Sequence, residues 1–227
     1  MDSPGVQLAV LEYRLKNIVR NARGDFDKIW SQVTDLDAAD VFLNKVLPSM
    51  VDLYGPALAT AAADWYDETR DAFGIGGQFS AIPAATKDAG IPALVGWATS
   101  EATSDAAFQQ LLWGGLERRL TNFSRNTIIR SSVADPKARG WMRVAHGDSC
   151  DFCKMLATRG GVYTTTTVRF GAHDHDKCQA APSWGEDAAV FDLQAYRQSE
   201  RRAGMTEEQR AADNARATEW IAAHLPN

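Results

Sequence analysis

The sequence is poor in cysteine, since its 227 residues include three. An odd number of cysteines cannot be used completely by internal disulfides, and clustered cysteines in a reducing compartment favour a metal site. No stretch approaches the roughly 20 apolar residues that a membrane-spanning helix requires. The N-terminal residues lack the basic start and long apolar region of a signal peptide. We therefore expect a soluble protein, made in a reducing cytoplasm, with no membrane contact.

An excess of positive charge is also missing. The chain has 24 Lys and Arg against 29 Asp and Glu, a formal net charge of −5, which excludes a polycation that coats nucleic acid. Residues of the hydrophobic set make up 45% and charged residues 23%, which is ordinary for a folded globular chain. The length suffices for one large domain or two small ones with a real core.

Apolar residues recur at helical spacing over most of the chain. Tyr54-Gly55-Pro56 interrupts this pattern and predicts a break between two helices. Between Cys150 and Trp184 the residue composition changes, because 162–170 is rich in β-forming residues. We expect strands only in this region. The predicted helices are 6–22, 38–53, 57–73, 104–133, a shorter one from Asp135-Pro136 to Trp141, 188–203 and 206–225, the last with a capping box at its start.

All three cysteines and two of the four histidines fall close together. Cys150 and Cys153 form a C-x-x-C pair, and His173, His175 and Cys178 follow. Three thiolates and one imidazole make a tetrahedral Cys₃His shell, which is a structural zinc geometry. Such a shell leaves no position for an activated water, so it argues against zinc catalysis. The sequence predicts structural zinc.

Three other interpretations compete with the zinc site. The cysteines could be unrelated buried residues, although their clustering argues against this. A thioredoxin-like redox pair requires a βαβ context and a helix N-terminus, and the sequence shows neither. The run from His173 to Asp176 suggests a metal-dependent nuclease, which would need an open coordination position and a general base.

These motifs resemble the signature of the Mu F-like phage head morphogenesis (minor capsid) family, especially its actinobacteriophage members. The resemblance extends patchily from about Val41 to Pro182. Its most specific part is the cysteine and histidine block. The matching segments are Tyr54-Gly55, Ala61-Ala62-Ala63-Asp64-Trp65-Tyr66-Asp67-Glu68-x-Arg70, Gly140-Trp141-x-Arg143-Val144, Cys150-x-x-Cys153-Lys154-Met155-Leu156-Ala157-x-Arg159-Gly160-x-Val162-Tyr163 and His173-Asp174-His175-x-x-Cys178.

The sequence departs from the family at one ligand position. The family usually shows His-x-x-Cys-x-Cys, and Asp176 stands where the first cysteine of that pair is expected. Register favours His173 as the histidine ligand, whereas local spacing favours His175. The expected metal ligands are Cys150, Cys153, His173 and Cys178, with His175 as the substitute and Asp176 as a remote alternative.

The resemblance implies a virion component, not an enzyme. Family members are minor head proteins at the portal vertex or in the capsid interior, linked to head assembly and DNA packaging or delivery. The implied partners are the portal protein, the major capsid protein or both, with the protein made in the bacterial host cytoplasm and present in multiple copies per virion. The alternatives are a zinc-dependent nuclease and a separate DNA-binding module.

A basic stretch follows residue 117, with Asp135 as the one acidic residue opposing it. Its members are Arg118, Arg119, Arg125, Arg130, Lys137, Arg139 and Arg143. It is either a solvated helix face or a contact for packaged DNA or an acidic portal surface. The candidate DNA contacts are Arg118, Arg119, Arg125 and Arg130.

The expected fold class is mainly α, with a small α+β insert. We divide the chain into a helical domain (1–135), a Cys/His zinc module with a short β-hairpin (136–185) and C-terminal helices (186–227).

Overall fold

The computed structural model confirms a mainly α fold. It describes residues 4–33, 36–85, 90–145, 149, 151–164, 170–175, 178–185, 206–209, 211–212 and 215. The elements in chain order are α1 (Pro4–Trp30), α2 (Leu36–Ala72), α3 (Ile91–Glu101), α4 (Asp105–Ala134), β1 (Gly140–Val144), α5 (Asp151–Ala157) and β2 (Gln179–Ser183). Among the described helices, none is long and apolar enough to cross a membrane.

The core lies where α1, α2 and α3 pack on α4. The predicted stripe on α1 is correct, since Leu8, Leu11 and Leu15 are buried at helical spacing. The predicted start of the 104–133 helix is also correct, because the Ser104 hydroxyl accepts a hydrogen bond of 3.2 Å from the backbone N–H of Ala107. Local apolar periodicity therefore specified both helices.

The predicted break at Tyr54-Gly55-Pro56 is wrong. Helix α2 runs through it and contains both Pro48 and Pro56. A proline inside a helix removes a backbone hydrogen bond and is unfavourable by about 3 kcal/mol, but buried side chains on both sides, such as Val51 and Leu58, hold the two halves in one core. Tertiary packing overrides the local signal.

The glycine of that tripeptide marks a close crossing of α2 and α4. A Cβ built on Gly55 would lie 2.5 Å from Cζ of the Phe123 ring. Real Cβ atoms essentially never approach so closely, so a larger residue at this position would force α2 or the ring to shift. The preceding Tyr54 hydroxyl donates a hydrogen bond to Asp25 of α1. Residues that resemble a helix break in sequence are helix contacts in the structure.

Gly55→Ala should lower the free energy of unfolding by about 1–3 kcal/mol, because the new methyl group overpacks the Phe123 contact. Gly24→Ala is the matched control, since Gly24 lies inside α1 with nothing within 4 Å of a built Cβ. The control should raise stability by about 0.5–1 kcal/mol through helix propensity alone. Urea denaturation of both variants measures the difference. Equal shifts in the two variants would contradict the close crossing.

Two predictions of secondary structure are wrong, one of a helix and one of where strands occur. The helix expected to lead from 136 to Trp141 does not form, because β1 begins at Gly140. Strand β1 also lies outside the 150–184 region, where alone strands were expected. Gly140 has a φ of 148°, and a Cβ there would overlap the Tyr163 carbonyl oxygen. The positive φ of Gly140 and its close approach to the Tyr163 backbone both favour an extended chain at the start of β1.

The sheet is a pairing between distant segments. Strand β1 pairs antiparallel with β2, with Arg143 opposite Ala180. Tyr163 adds an isolated bridge to Trp141, whereas 165–169 lie outside the described residues. The two described strands come from the two ends of the 136–185 segment and are not the two arms of a tight hairpin.

The sheet packs on the helices within the same core. Both strands contact α4, and α5 contacts β1. The predicted division at 135/136 and 185/186 stays a prediction. The predicted 188–203 helix lies outside the described residues, as does most of 206–225. The predicted capping box is present: the backbone N–H of Thr206 donates to Gln209 Oε1 (2.9 Å), and that of Gln209 donates to the Thr206 hydroxyl (3.3 Å).

A buried polar cluster joins α2, the end of α4 and the residue after β2. We call Tyr66, Arg70, Asp135 and Trp184 the Asp135 network. Arg70 Nε lies 3.0 Å from Asp135 Oδ2, and the two side chains are 4% and 0% exposed. The same oxygen accepts hydrogen bonds from the Tyr66 hydroxyl (3.2 Å) and the Trp184 indole (3.0 Å).

Arg70 also organises the loop after α2. Its remaining N–H groups donate to the carbonyls of Ile75, Gly76 and Gly77 at 2.9–3.0 Å. Burial raises the pKa of Asp135, but the hydrogen bonds that the carboxylate accepts outweigh burial and hold its pKa below the usual 3.8. The Asp135 carboxylate is therefore the negatively charged centre of the Asp135 network.

Candidate metal centre

Two of the three cysteines meet in the interior. Cys153 lies on α5 and Cys178 directly precedes β2. Both side chains are fully buried, and their sulfur atoms are 3.3 Å apart. Cys150 directly precedes α5 in sequence and lies outside the described residues. The structure therefore brings together the second cysteine of the C-x-x-C pair and the distant third one.

An arginine from the sheet contacts both sulfurs. Arg143 is 3% exposed, and its Nη1 donates to Cys178 Sγ (3.2 Å) and Cys153 Sγ (3.4 Å). Its guanidinium carbon lies 3.7 Å from the centroid of the Phe170 ring. No carboxylate within the described part of the chain pairs with Arg143. A buried cation needs a nearby negative charge, and thiolate sulfur supplies one where a neutral thiol would not.

A second arginine fastens the backbone at Cys178. Arg125 of α4 is fully buried, and its Nε donates to the Cys178 carbonyl oxygen at 3.0 Å. Its Nη1 donates to the side chains of Thr121 and Asn122, both at 3.0 Å. The long helix thereby fixes the position of the chain that carries one sulfur.

Burial makes the DNA prediction wrong for Arg125, because its guanidinium faces the interior. The charge run did not reveal which positions point outward. Arg118 pairs with Asp174 at 3.0 Å, and Arg119 donates to the Gly115 and Gly90 carbonyls. Arg130 is exposed. The four arginines thus do not form one continuous cationic surface.

The two candidate histidines lie on the surface next to α4. His173 is exposed, contacts Phe152 edge to face with centroids 5.8 Å apart, and lines an open pocket of about 530 Å³ with Trp97. His175 Nδ1 lies 2.8 Å from Glu117 Oε2. Within the described residues, no group of three or more His, Cys, Asp or Glu side chains is placed to hold a metal ion.

Two consecutive glycines in α4 were not singled out from the sequence. A Cβ on Gly114 would lie 2.7 Å from His175 Nε2, and one on Gly115 would overlap Leu94 of α3. Adjacent glycines inside a long helix lower its propensity by about 1 kcal/mol each, so their presence in Trp113-Gly114-Gly115 is a signal of close contacts on two faces. They seat α3 and the 173–175 loop on the helix.

The donor set fits a zinc–thiolate centre as far as it is described. Two sulfurs on one tetrahedral zinc, with bonds of about 2.3 Å, lie about 3.8 Å apart, and the observed 3.3 Å needs a small adjustment. Cys153 and Cys178 would be ligands, and Arg143 lies in contact with both sulfurs. The complete ligand set stays a prediction.

Of the two features that a thioredoxin-like redox pair requires, the structure has a helix start after Cys150 but, among its described strands, lacks a parallel βαβ unit around α5. Helix α5 begins at Asp151, so a helix start follows Cys150, contrary to the sequence-based expectation. The flanking strands β1 and β2 are antiparallel, whereas the thioredoxin context has a parallel βαβ unit. The architecture around α5 is therefore different.

These features define a mainly helical protein with a two-stranded sheet and a buried cysteine pair fastened to its long fourth helix. A family model described as VG15 protein matches residues 4–203, and the chain belongs to this family. The family is one of viral, phage-encoded gene products, which indicates a phage protein. No curated protein and no solved structure matches the chain.

Proposed function

We propose that the chain is a minor capsid (head morphogenesis) protein of the Mu F-like type. It acts in the capsid interior or at the portal vertex, in multiple copies per virion, during head assembly and DNA packaging or delivery. Its role is structural and not enzymatic. The VG15 match over most of the chain supports this proposal, as does the cysteine and histidine block resembling that of Mu F-like proteins.

One observation carries the structural interpretation: the sulfur pair is closed off from solvent. Cys153 and Cys178 are fully buried, Arg143 contacts both sulfurs, and the Phe170 ring packs on the Arg143 guanidinium. A catalytic zinc keeps a position open for water or substrate, whereas a structural zinc is enclosed by protein ligands. A metal enclosed here would connect α5 to the start of β2.

The proposed ligands are Cys150, Cys153, His173 and Cys178, with His175 as the substitute. Zinc supplies no reaction at this site; bound there, it crosslinks segments too short to bury a core of their own. The chain's own residues shape the surroundings. Arg125 holds the Cys178 carbonyl, and Gly114 accommodates the loop that carries both histidines.

The proposed partners are the portal protein, the major capsid protein or both. A contact with packaged DNA would use exposed or half-exposed side chains, which leaves Arg118, Arg119 and Arg130 of the original four. Trp97, 43% exposed beside Arg118 and Arg119, adds an aromatic side chain of the kind enriched at protein interfaces.

The proposal is tested on phage particles. We expect the protein in gradient-purified virions and in a complex with the portal protein when the two are co-expressed. An amber mutation in its gene should reduce complete heads. Normal infectious particles that lack the protein would overturn the structural role. Cleavage of plasmid DNA by the purified protein, dependent on a divalent metal, would replace it with the nuclease alternative.

A further inference from the structure

We propose that Arg143 is the counter-ion of the metal centre, a positioning residue whose guanidinium offsets the negative charge of the sulfur ligands and sets how tightly zinc is held. This inference rests on the proposed zinc site. It assigns a role to a side chain that belongs to the sheet and lies outside the cysteine and histidine motif.

The first argument is geometric. One nitrogen, Arg143 Nη1, lies 3.2 Å from Cys178 Sγ and 3.4 Å from Cys153 Sγ, and the sulfurs are 3.3 Å from each other. These three atoms form a nearly equilateral triangle, so one guanidinium nitrogen, which carries two N–H groups, contacts both sulfurs. Hydrogen bonds of this kind orient ligands and tune their basicity at metal sites.

The second argument is charge. A zinc ion with three thiolates and a neutral imidazole carries a single net negative charge, and the sulfurs here have no solvent exposure. Burying an uncompensated charge is strongly unfavourable. One guanidinium in contact with the sulfurs makes the cluster neutral. The same reasoning explains why Arg143 is buried with no carboxylate partner among the described side chains.

The third argument is how the guanidinium is held in place. Ala180 stands opposite Arg143 across the two strands, so the cross-strand neighbour of the arginine is a small side chain. The Phe170 ring lies 3.7 Å from the guanidinium carbon, which is a cation–π contact. Within the part of the chain that the structure describes, Arg143 Nε has no hydrogen-bond partner, and Nη1 contacts the two sulfurs. The packing aims the charge at the two cysteines.

The test compares Arg143→Met, Arg143→Gln and Arg143→Lys with the wild-type protein. The zinc dissociation constant is measured by competition with a coloured chelator. Removing a residue that supports the ligands weakens metal binding by roughly 10- to 100-fold, and we expect at least about ten-fold for Met and Gln. Lysine keeps the charge without the planar fork and should recover part of the affinity.

Arg139→Met is the matched control. Arg139 is an exposed arginine directly before β1, and its backbone N–H donates to the Ser183 carbonyl. It should hold zinc as tightly as the wild type. Wild-type affinity in Arg143→Gln would overturn the counter-ion role while leaving the zinc site standing. A wild-type protein without zinc would instead overturn the proposed metal centre.

A purely structural role for Arg143 predicts a different pattern. It would lower the melting temperature of the zinc-loaded and zinc-free proteins equally, with no change in affinity. The counter-ion role predicts a larger loss in the zinc-loaded form, because the thiolate charge is present there. If Arg143→Met does not fold, the comparison of Gln with Lys gives the same answer, since both are polar and one carries charge.

Discussion

Asp135→Asn should lower the free energy of unfolding by about 3–5 kcal/mol, because it leaves the buried Arg70 guanidinium without its charged partner. The substitution keeps the shape of the side chain and removes the charge that Arg70 and Trp184 contact. Urea denaturation followed by circular dichroism measures the change. We expect a lower midpoint with the same dependence on urea concentration.

The control is Asp71→Asn on α2, an exposed carboxylate that should change stability by less than about 0.5 kcal/mol.

The pKa of Asp135 is depressed in the folded state. The ionised Asp135 carboxylate therefore contributes its full stabilisation of the folded state above the unfolded-state pKa of about 3.9. This stabilisation is lost as the pH falls through the lower folded-state pKa. The stability difference between wild type and Asp135→Asn should shrink in that acid range. A difference that is unchanged by acid would contradict the charged role.

Cys178→Ser should abolish stable zinc binding and unfold the surroundings of α5. Structural zinc contributes directly to folding, with apparent binding free energies of about 10–16 kcal/mol in small zinc domains. We expect about one zinc per chain in the wild type and close to none in Cys178→Ser. Elemental analysis measures the stoichiometry, and a chelator titration followed by circular dichroism measures the coupled loss of structure.

Met155→Leu is the control for this second experiment. It removes a sulfur atom from a half-buried position on the same helix, α5, without touching a proposed ligand. Its zinc content should equal that of the wild type. Less than about half a zinc per wild-type chain, together with no effect of the chelator on folding, would remove the metal centre.

Local patterns in the sequence were sufficient for α1 and for the start of α4. The stripe Leu8, Leu11 and Leu15 lies on one face of α1, and the Ser104 cap needs residues three positions apart. Both signals involve near neighbours, so no knowledge of the tertiary fold is required. The same locality misled the interpretation of Pro56, where burial on both sides of the proline keeps α2 continuous.

Non-local features were beyond the sequence patterns. Strand β1 pairs with residues that follow α5, and Gly140 and Trp141 carry no local signal for that partner. Arg125 was grouped with surface cations because charge was counted along the chain, whereas the fold buries it beneath Cys178. The cysteine cluster was predicted from spacing alone, and two of its members do meet.

The pairing of β1 with β2 makes the chain leave and re-enter the helical body at one place. Val144 lies opposite Gln179 at the base of this connection, and the described 173–175 part of it rests again on α4 through Asp174–Arg118 and His175–Glu117. The sulfur pair sits just inside that base, where Cys178 directly precedes β2. A partner that pulled on this connection would therefore load two sets of contacts on α4 in parallel, the hydrogen bond from Arg125 to Cys178 and the contacts of the 173–175 loop.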